Sequence, residues 1–181
     1  MVITTYADGA DYGSLRTYAV PDTVFHLVDP DDPDTDDISR EFDDLILSTV
    51  SQQLDLLGYT EEPDPETNTP DILVPVSITV SEHYGTITDW YPVWGWHPYW
   101  PWGPGWGYWY PAQQNYTYST GTIFIHMLDA KNADPTEETV AVIWYATING
   151  VLGDTSANTA RRIEANIEKA FAQSPYLGAE G

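Results

Sequence analysis

Between Asp71 and Glu82 the chain alternates, with Ile72, Val74, Val76, Ile78 and Val80 on one side and Leu73, Pro75, Ser77, Thr79 and Ser81 on the other. A period of two predicts a strand with one apolar face and one largely polar face. Pro75 cannot donate to a ladder, so an edge position or a bulge is expected there. Two later runs share this period. Within Tyr116–Asp129, Ile123, Ile125 and Met127 alternate with Phe124, His126 and Leu128. Apolar residues on both sides predict a central strand. Val140, Val142, Trp144 and Ala146, expected on one face, mark a third strand over Thr139–Ile148, after the polar loop KNADPTEE. Three such runs in succession predict an antiparallel meander. Shorter β-favouring runs, Val2–Tyr6, Ser14–Val20 and Val24–Val28, precede them.

A period near 3.6 governs two other stretches. Phe42, Leu45, Ile46, Thr49, Val50, Gln53, Leu54 and Leu57 predict a helix over Ser39–Leu57. Asp37 or Ser39 is placed to cap its start, and Gly58 to end it in a left-handed conformation. Ala160, Ile163, Ile167, Ala170 and Phe171 predict a second helix from about Thr155 to Gln173, closed off by Pro175. The expected fold is a single α+β domain over 1–181. Its sheet is mainly antiparallel, with about four to six strands and both helices packed on one face. A chain of 181 residues is long enough for one proper core.

Neither period fits 84–116, an insert between two strands. Its centre, Trp90–Pro111, holds seven of the eight tryptophans with four tyrosines, five prolines and four glycines. No Asp, Glu, Lys or Arg lies between Asp89 and Asp129. The prolines remove donors and fix φ, and the glycines permit turns, so a long collapsed loop is expected rather than a regular strand. Prolines also interrupt any run of about 20 apolar residues, so this is not a membrane span. Eleven Trp and Tyr rings can bury on the order of 2,000 Å², against exposed patches of roughly 300–600 Å² on ordinary monomers. Most rings are therefore expected to be covered, by one another and the sheet or by a partner. Two or three open rings suffice for a site. The candidate binding residues are Trp94, Trp96, Tyr99, Trp100, Trp102, Trp106 and Trp109, whose faces can stack on sugars, proline-rich peptides or cations. Trp144, on a strand outside the insert, is expected in the core.

Charge narrows the partners. There are 28 acidic against 6 basic residues, a net charge of −22. That surface repels nucleic-acid phosphates and anionic membranes. Much aspartate with only two lysines, Lys131 and Lys169, also fits a salt-adapted source. The absence of cysteine excludes disulfides, thiolate metal sites and thiol nucleophiles from these residues. Met1 runs at once into a strand-like segment, as expected of a cytosolic chain or of one whose targeting segment has been removed.

The acidic loop Asp29–Asp37 sets Asp32, Asp34 and Asp36 at positions one, three and five of a calcium-loop pattern. Asp37 stands where glycine is needed, and Asp43 takes the last position in place of glutamate. A solvated loop running into a helix cap is the better reading. His26, His83, His97 and His126 form no HxH or HExxH pair. His126 reads as a cross-strand packing residue, and a metal site from His83, His97 and Asp89 has no supporting spacing. No GxSxG elbow or phosphate-cradling glycine loop is present. No catalytic residue, metal or cofactor is therefore assigned. A metal-dependent hydrolase is the weakest alternative.

Several segments in order carry a resemblance: SLRTYAV (Ser14–Val20), LDLLGY (Leu54–Tyr59), PDILV (Pro70–Val74), GTIFIHMLDAK (Gly121–Lys131), VIWYATING around Trp144, and FAQSPY (Phe171–Tyr176). Together they resemble domain-of-unknown-function family 4136, over nearly the whole chain. The resemblance implies a bacterial envelope lipoprotein, held at the outer membrane through an N-terminal cysteine that residues 1–181 lack; it carries over no assigned chemistry, and a non-enzymatic domain is expected. An envelope protein or a glycan is then the expected partner, with the membrane reached only through the lipid anchor. A carbohydrate-binding module is the alternative reading.

Overall fold

The computed structural model describes residues 1–27, 39–79, 83–86, 107–109, 115–118, 121–134, 136–137, 139–153 and 155–178. Along the chain these form β1 (Val2–Tyr6), β2 (Thr17–Ala19), β3 (Phe25–Leu27), α1 (Asp43–Leu56), β4 (Thr60–Glu61), β5 (Ile72–Leu73) and β6 (Val76–Thr79). There follow β7 (His83–Thr86), β8 (Gly107–Trp109), β9 (Asn115–Tyr118), β10 (Thr122–Asp129), β11 (Thr139–Ile148) and α2 (Ser156–Ala172).

The expected meander is present. β10 pairs antiparallel with β6 on one side and with β11 on the other, so that Ile123 faces both Ile78 and Ile148. β1 closes antiparallel on β11. The sheet is larger than expected, however, with nine strands in the order β1-β11-β10-β5-β2-β4, plus β6 beside β10, β3 beside β6 and β8 beside β11. Short parallel pairs account for the difference: β2 with β4 and β5, β3 with β6, and β8 with β11. The run from Asp71 breaks at Pro75 into β5 and β6. Both halves have neighbours on either side, so Pro75 is interior and not at an edge. The missing N–H is accommodated by interrupting the strand, while Pro75 O still accepts from His126 N at 3.1 Å. The run from Tyr116 breaks likewise at Gly121, whose φ of 74° takes it out of the extended region and separates β9 from β10.

Both helices form where the 3.6 period places them. A short 3-10 turn, Arg40–Phe42, precedes α1, and Ser39 caps it by accepting from Glu41 N. Asp37 lies outside the described residues. Gly58 ends α1 at a φ of 89°. Thr155 caps α2 by accepting from Asn158 N. Ile46, Val50 and Leu54 of α1 and Ile163, Ile167 and Phe171 of α2 pack on Ile123, Ile125, Met127, Trp144, Ala146 and Ile148. The other side of the sheet is also buried. There Phe124, Leu128, Val140, Val142 and Tyr145 form a second cluster with Ala19 and Leu73. Ser77, His126 and Thr147 alternate onto that side and are fully covered.

Candidate functional site

Thr79 and Thr122 are register partners, and Gly121 N donates to Thr79 O at 3.2 Å. Two residues suffice to turn a chain between such strands. Here residues 80–121 intervene, 42 in all. The excursion starts and ends as a ribbon of β7 with β9, from His83↔Tyr118 to Thr86↔Asn115. Farther out, its backbone returns to the sheet: β8 runs parallel to β11, with Trp109 at the register position of Ala141. Of the candidate binding residues Trp109 is thus placed by its backbone. Trp94, Trp96, Tyr99, Trp100, Trp102 and Trp106 lie outside the described residues, as do His97, Asp89 and the acidic loop Asp29–Asp37.

The mouth of the excursion is tightly built. A Cβ on Gly121 would lie 2.5 Å from Leu152 Cγ, so glycine is required there twice over, by φ and by contact. Val151 N donates to Gly121 O at 3.1 Å. Thr122 Oγ1 donates to Asn149 Oδ1 at 2.7 Å, and Asn149 exchanges backbone bonds with Met1 at 2.8 and 2.9 Å. The N-terminal residue and the roots of the excursion therefore share one rim of the sheet.

His26 and His126 are engaged elsewhere. His26 Nε2 lies 3.1 Å from Asp43 Oδ1, and Arg40 Nη1 lies 3.0 Å from Asp43 Oδ2, so these residues tie the neck of the acidic loop to α1. His126 stacks on Tyr145, its cross-strand partner, at 6.0 Å between centroids. This is the packing role its alternation predicts. Complete burial pushes its pKa down to about 3, so the imidazole is neutral. Among the described residues no group of three or more His, Cys, Asp or Glu is gathered as a metal ion needs. No described helix is long and apolar enough to cross a membrane.

Sequence reading missed a set of long-range polar latches. Asp71 Oδ2 accepts from Arg16 N at 2.6 Å and Thr17 N at 3.3 Å, and Lys131 Nζ donates to Ser14 O at 2.6 Å. Tyr18 OH donates to Asp55 Oδ1 at 2.9 Å. Burial, with the Asp55 carboxylate second, raises its pKa well above the usual phenol range. Trp144 is in the core as expected, and its Nε1 donates to Ser174 Oγ at 2.9 Å. Tyr59 OH donates to Leu177 O, and burial pushes its pKa up to about 12. Most of these partners fall in SLRTYAV, LDLLGY, PDILV, LDAK, VIWYATING or FAQSPY. The motifs that carry the resemblance thus hold the sheet to its helices.

Comparison with known proteins agrees with that order of motifs. The model of the family described as "Domain of unknown function (DUF4136)" matches residues 2–176. The fold is similar to the crystal structure of a DUF4136 family protein from Bacteroides thetaiotaomicron, at 25% identity and a TM-score of 0.73, covering 99% of this chain and 97% of that one. A weaker likeness is to a PelC dodecamer structure from Paraburkholderia phytofirmans, at 13% identity and a TM-score of 0.48, covering 97% of each chain. No curated protein matches the sequence.

Proposed function

The chain belongs to the DUF4136 family, a domain of unknown function, and from that premise we propose that it is a non-catalytic binding domain of the bacterial cell envelope whose recognition surface is the ring-rich excursion. The observation that carries this reading is the length of chain between two strands that are already paired. Closing Thr79 onto Thr122 needs a short turn, and the sequence spends residues 80–121 there instead. Loops far longer than closure requires are where binding residues concentrate. The latches described above occupy the polar residues of the shared motifs in scaffolding, which leaves the excursion as the part with chemistry to spare. Neither His26, bonded to Asp43, nor His126, sealed beside Tyr145, is presented to solvent as a general base. The envelope location follows the resemblance, with attachment through a lipid that residues 1–181, having no cysteine, do not carry.

Replacing Trp96, Trp100 and Trp106 together with alanine is expected to abolish partner binding while far-ultraviolet circular dichroism keeps both helices. Tryptophan fluorescence during titration with soluble oligosaccharides separates the two arms. A saturable shift identifies a glycan. Concentration-dependent association without added ligand identifies assembly with protein. Binding that survives the triple substitution refutes the assignment.

A further inference from the structure

Two phenols far apart in sequence meet beside the indole of Trp144. Tyr6 closes β1 at the register position of Trp144, and Tyr176 follows α2 on the 3-10 turn Pro175–Leu177. Trp144 Nε1 and Tyr176 OH both bond Ser174 Oγ, at 2.9 and 3.2 Å. The rings of Tyr6 and Tyr176 lie 4.5 Å apart between centroids, with 43° between their planes. That is the short end of the range for aromatic pairs. It brings ring carbons into contact, at nearly the separation of two directly bonded six-membered rings. The neighbouring tyrosines are placed differently. Tyr12 lies 5.9 Å from Tyr176, but it is buried and its hydroxyl donates to Ile143 O at 2.6 Å. Tyr59, also buried, donates to Leu177 O. A phenol loses an electron readily only as its proton leaves, and an amide carbonyl cannot carry the proton off. Burial pushes both pKa values up and keeps these two protonated. Tyr6 is 48% exposed, so water can take its proton. Tyr176 is half-buried, and its partner Ser174 is a hydroxyl, which unlike a carbonyl can pass a proton on. No cysteine in residues 1–181 competes for an oxidant.

We infer that Tyr6 and Tyr176 form a site of oxidative modification, joined as a dityrosine by a haem peroxidase with hydrogen peroxide. Each phenol loses one electron and its hydroxyl proton. The two phenoxyl radicals pair through ring carbons ortho to oxygen, forming one carbon–carbon bond. The hydrogen on each of those carbons then moves to restore its hydroxyl. Two electrons and two protons leave in all, and they reduce one hydrogen peroxide to two waters. The bond ties β1, which among the described strands pairs with β11 alone, to the turn after α2. A closed loop then spans the sheet and both helices, and the unfolded chain loses freedom as it does with a disulfide. The inference is independent of the excursion and of what it binds.

The test treats the whole chain with a haem peroxidase and hydrogen peroxide, isolates protein of monomer size and digests it with trypsin. Cleavage after Arg16 and Lys169 leaves Tyr6 in peptide 1–16 and Tyr176 in peptide 170–181. The expected product is these two peptides joined, lighter than their sum by two hydrogens and fluorescent as dityrosine. Tyr6→Phe and Tyr176→Phe keep the ring contact, and each is expected to abolish this product. Tyr12→Phe is expected to leave it, although Tyr12 shares peptide 1–16. Circular dichroism checks that each variant is folded. The linked protein is expected to unfold at a higher denaturant midpoint than Tyr6→Phe treated in the same way. Peptides 1–16 and 170–181 that stay separate while other tyrosines are linked overturn the site. So does a link that survives Tyr6→Phe and disappears in Tyr12→Phe. Mixing isotopically heavy and ordinary protein before oxidation tests the origin of the bond, and a link found only between heavy and ordinary peptides also overturns it. An unchanged midpoint overturns the stapling of β1.

Discussion

On the helix side of β10 and β11 stand Ile123, Ile125, Met127, Trp144, Ala146 and Ile148. From the same two strands, Phe124, His126, Leu128, Tyr145 and Thr147 face the other way. Both sets are buried. The first is aliphatic but for one indole, whose N–H is bonded to Ser174. The second sets an imidazole and hydroxyls among its apolar members, and Ser77 of β6 joins them. A buried polar group, even when bonded, returns less than an apolar one of the same size, so the two faces do not contribute alike. The helix face is organised for cohesion. The far face gives up some of that cohesion, and departures from local rules gather where a fold is doing something besides folding.

The sharpest way to break this comparison is to attack the helix face at its largest side chain. Trp144 is fully buried, packs on Phe171 at 5.1 Å between centroids, and satisfies Ser174. Trp144→Ala is expected to cost about 3–5 kcal/mol, since truncation leaves a cavity and removes the buried bond from the indole to Ser174. Denaturant unfolding measures it. A loss below about 1 kcal/mol would mean that cohesion does not reside on this face.

Much of the helix face was legible in the sequence because periodicity reports which residues share a side. The stripes of α1 and α2, the alternation of β10 and the terminating role of Gly58 follow from spacing alone. In β11 spacing set Val140 and Val142 on the side of Trp144 and Ala146, but the register shift between Met127 and Leu128 moves them to the far face. The far face was legible only in part. Alternation put Ser77 and Thr79 opposite Val76 and Ile78, but it cannot say what lies over a side, and both polar residues prove buried. Pairing direction was hidden as well. The parallel contacts of β3 with β6 and of β2 with β5 depend on a crossover through the tertiary fold, and runs of three residues carry no mark of it. The latch from Asp71 to Arg16 spans 55 residues of sequence, and a lone aspartate does not announce such a partner. For the candidate site, composition marked the excursion and its bounds, and register then fixed its roots and the backbone of Trp109.

His126 gives a pH-dependent test of the far face. Its folded pKa lies at about 3, below the ordinary 6.5. Below 6.5 the unfolded chain therefore binds a proton that the folded chain refuses. The neutral imidazole's contribution is complete above 6.5 and is lost as pH falls toward 3. The slope is about 1.4 kcal/mol for each pH unit. His126→Phe keeps a ring against Tyr145 and removes the titration. The stability difference between wild type and this variant should move in the variant's favour by that slope as pH is lowered below 6.5. Differencing cancels the carboxylates common to both chains. Parallel pH profiles would show that the imidazole is hydrated, and the far face open, in solution.

The smallest expected effect is a gain. Thr147 is fully buried, and among the described residues nothing hydrogen-bonds its Oγ1. Valine has nearly the same shape and the same stiffness at χ1, and it suits an interior strand at least as well. Thr147→Val therefore removes a desolvated hydroxyl without opening a cavity and is expected to stabilise by about 1 kcal/mol. The readout is a higher denaturant midpoint at an unchanged slope. On a face built for cohesion alone such an improvement is seldom left available, so a gain would mark the far face as the one where polarity is kept for another purpose. A loss of similar size would show that the hydroxyl is bonded in solution, and the contrast between the two faces would then shrink to His126.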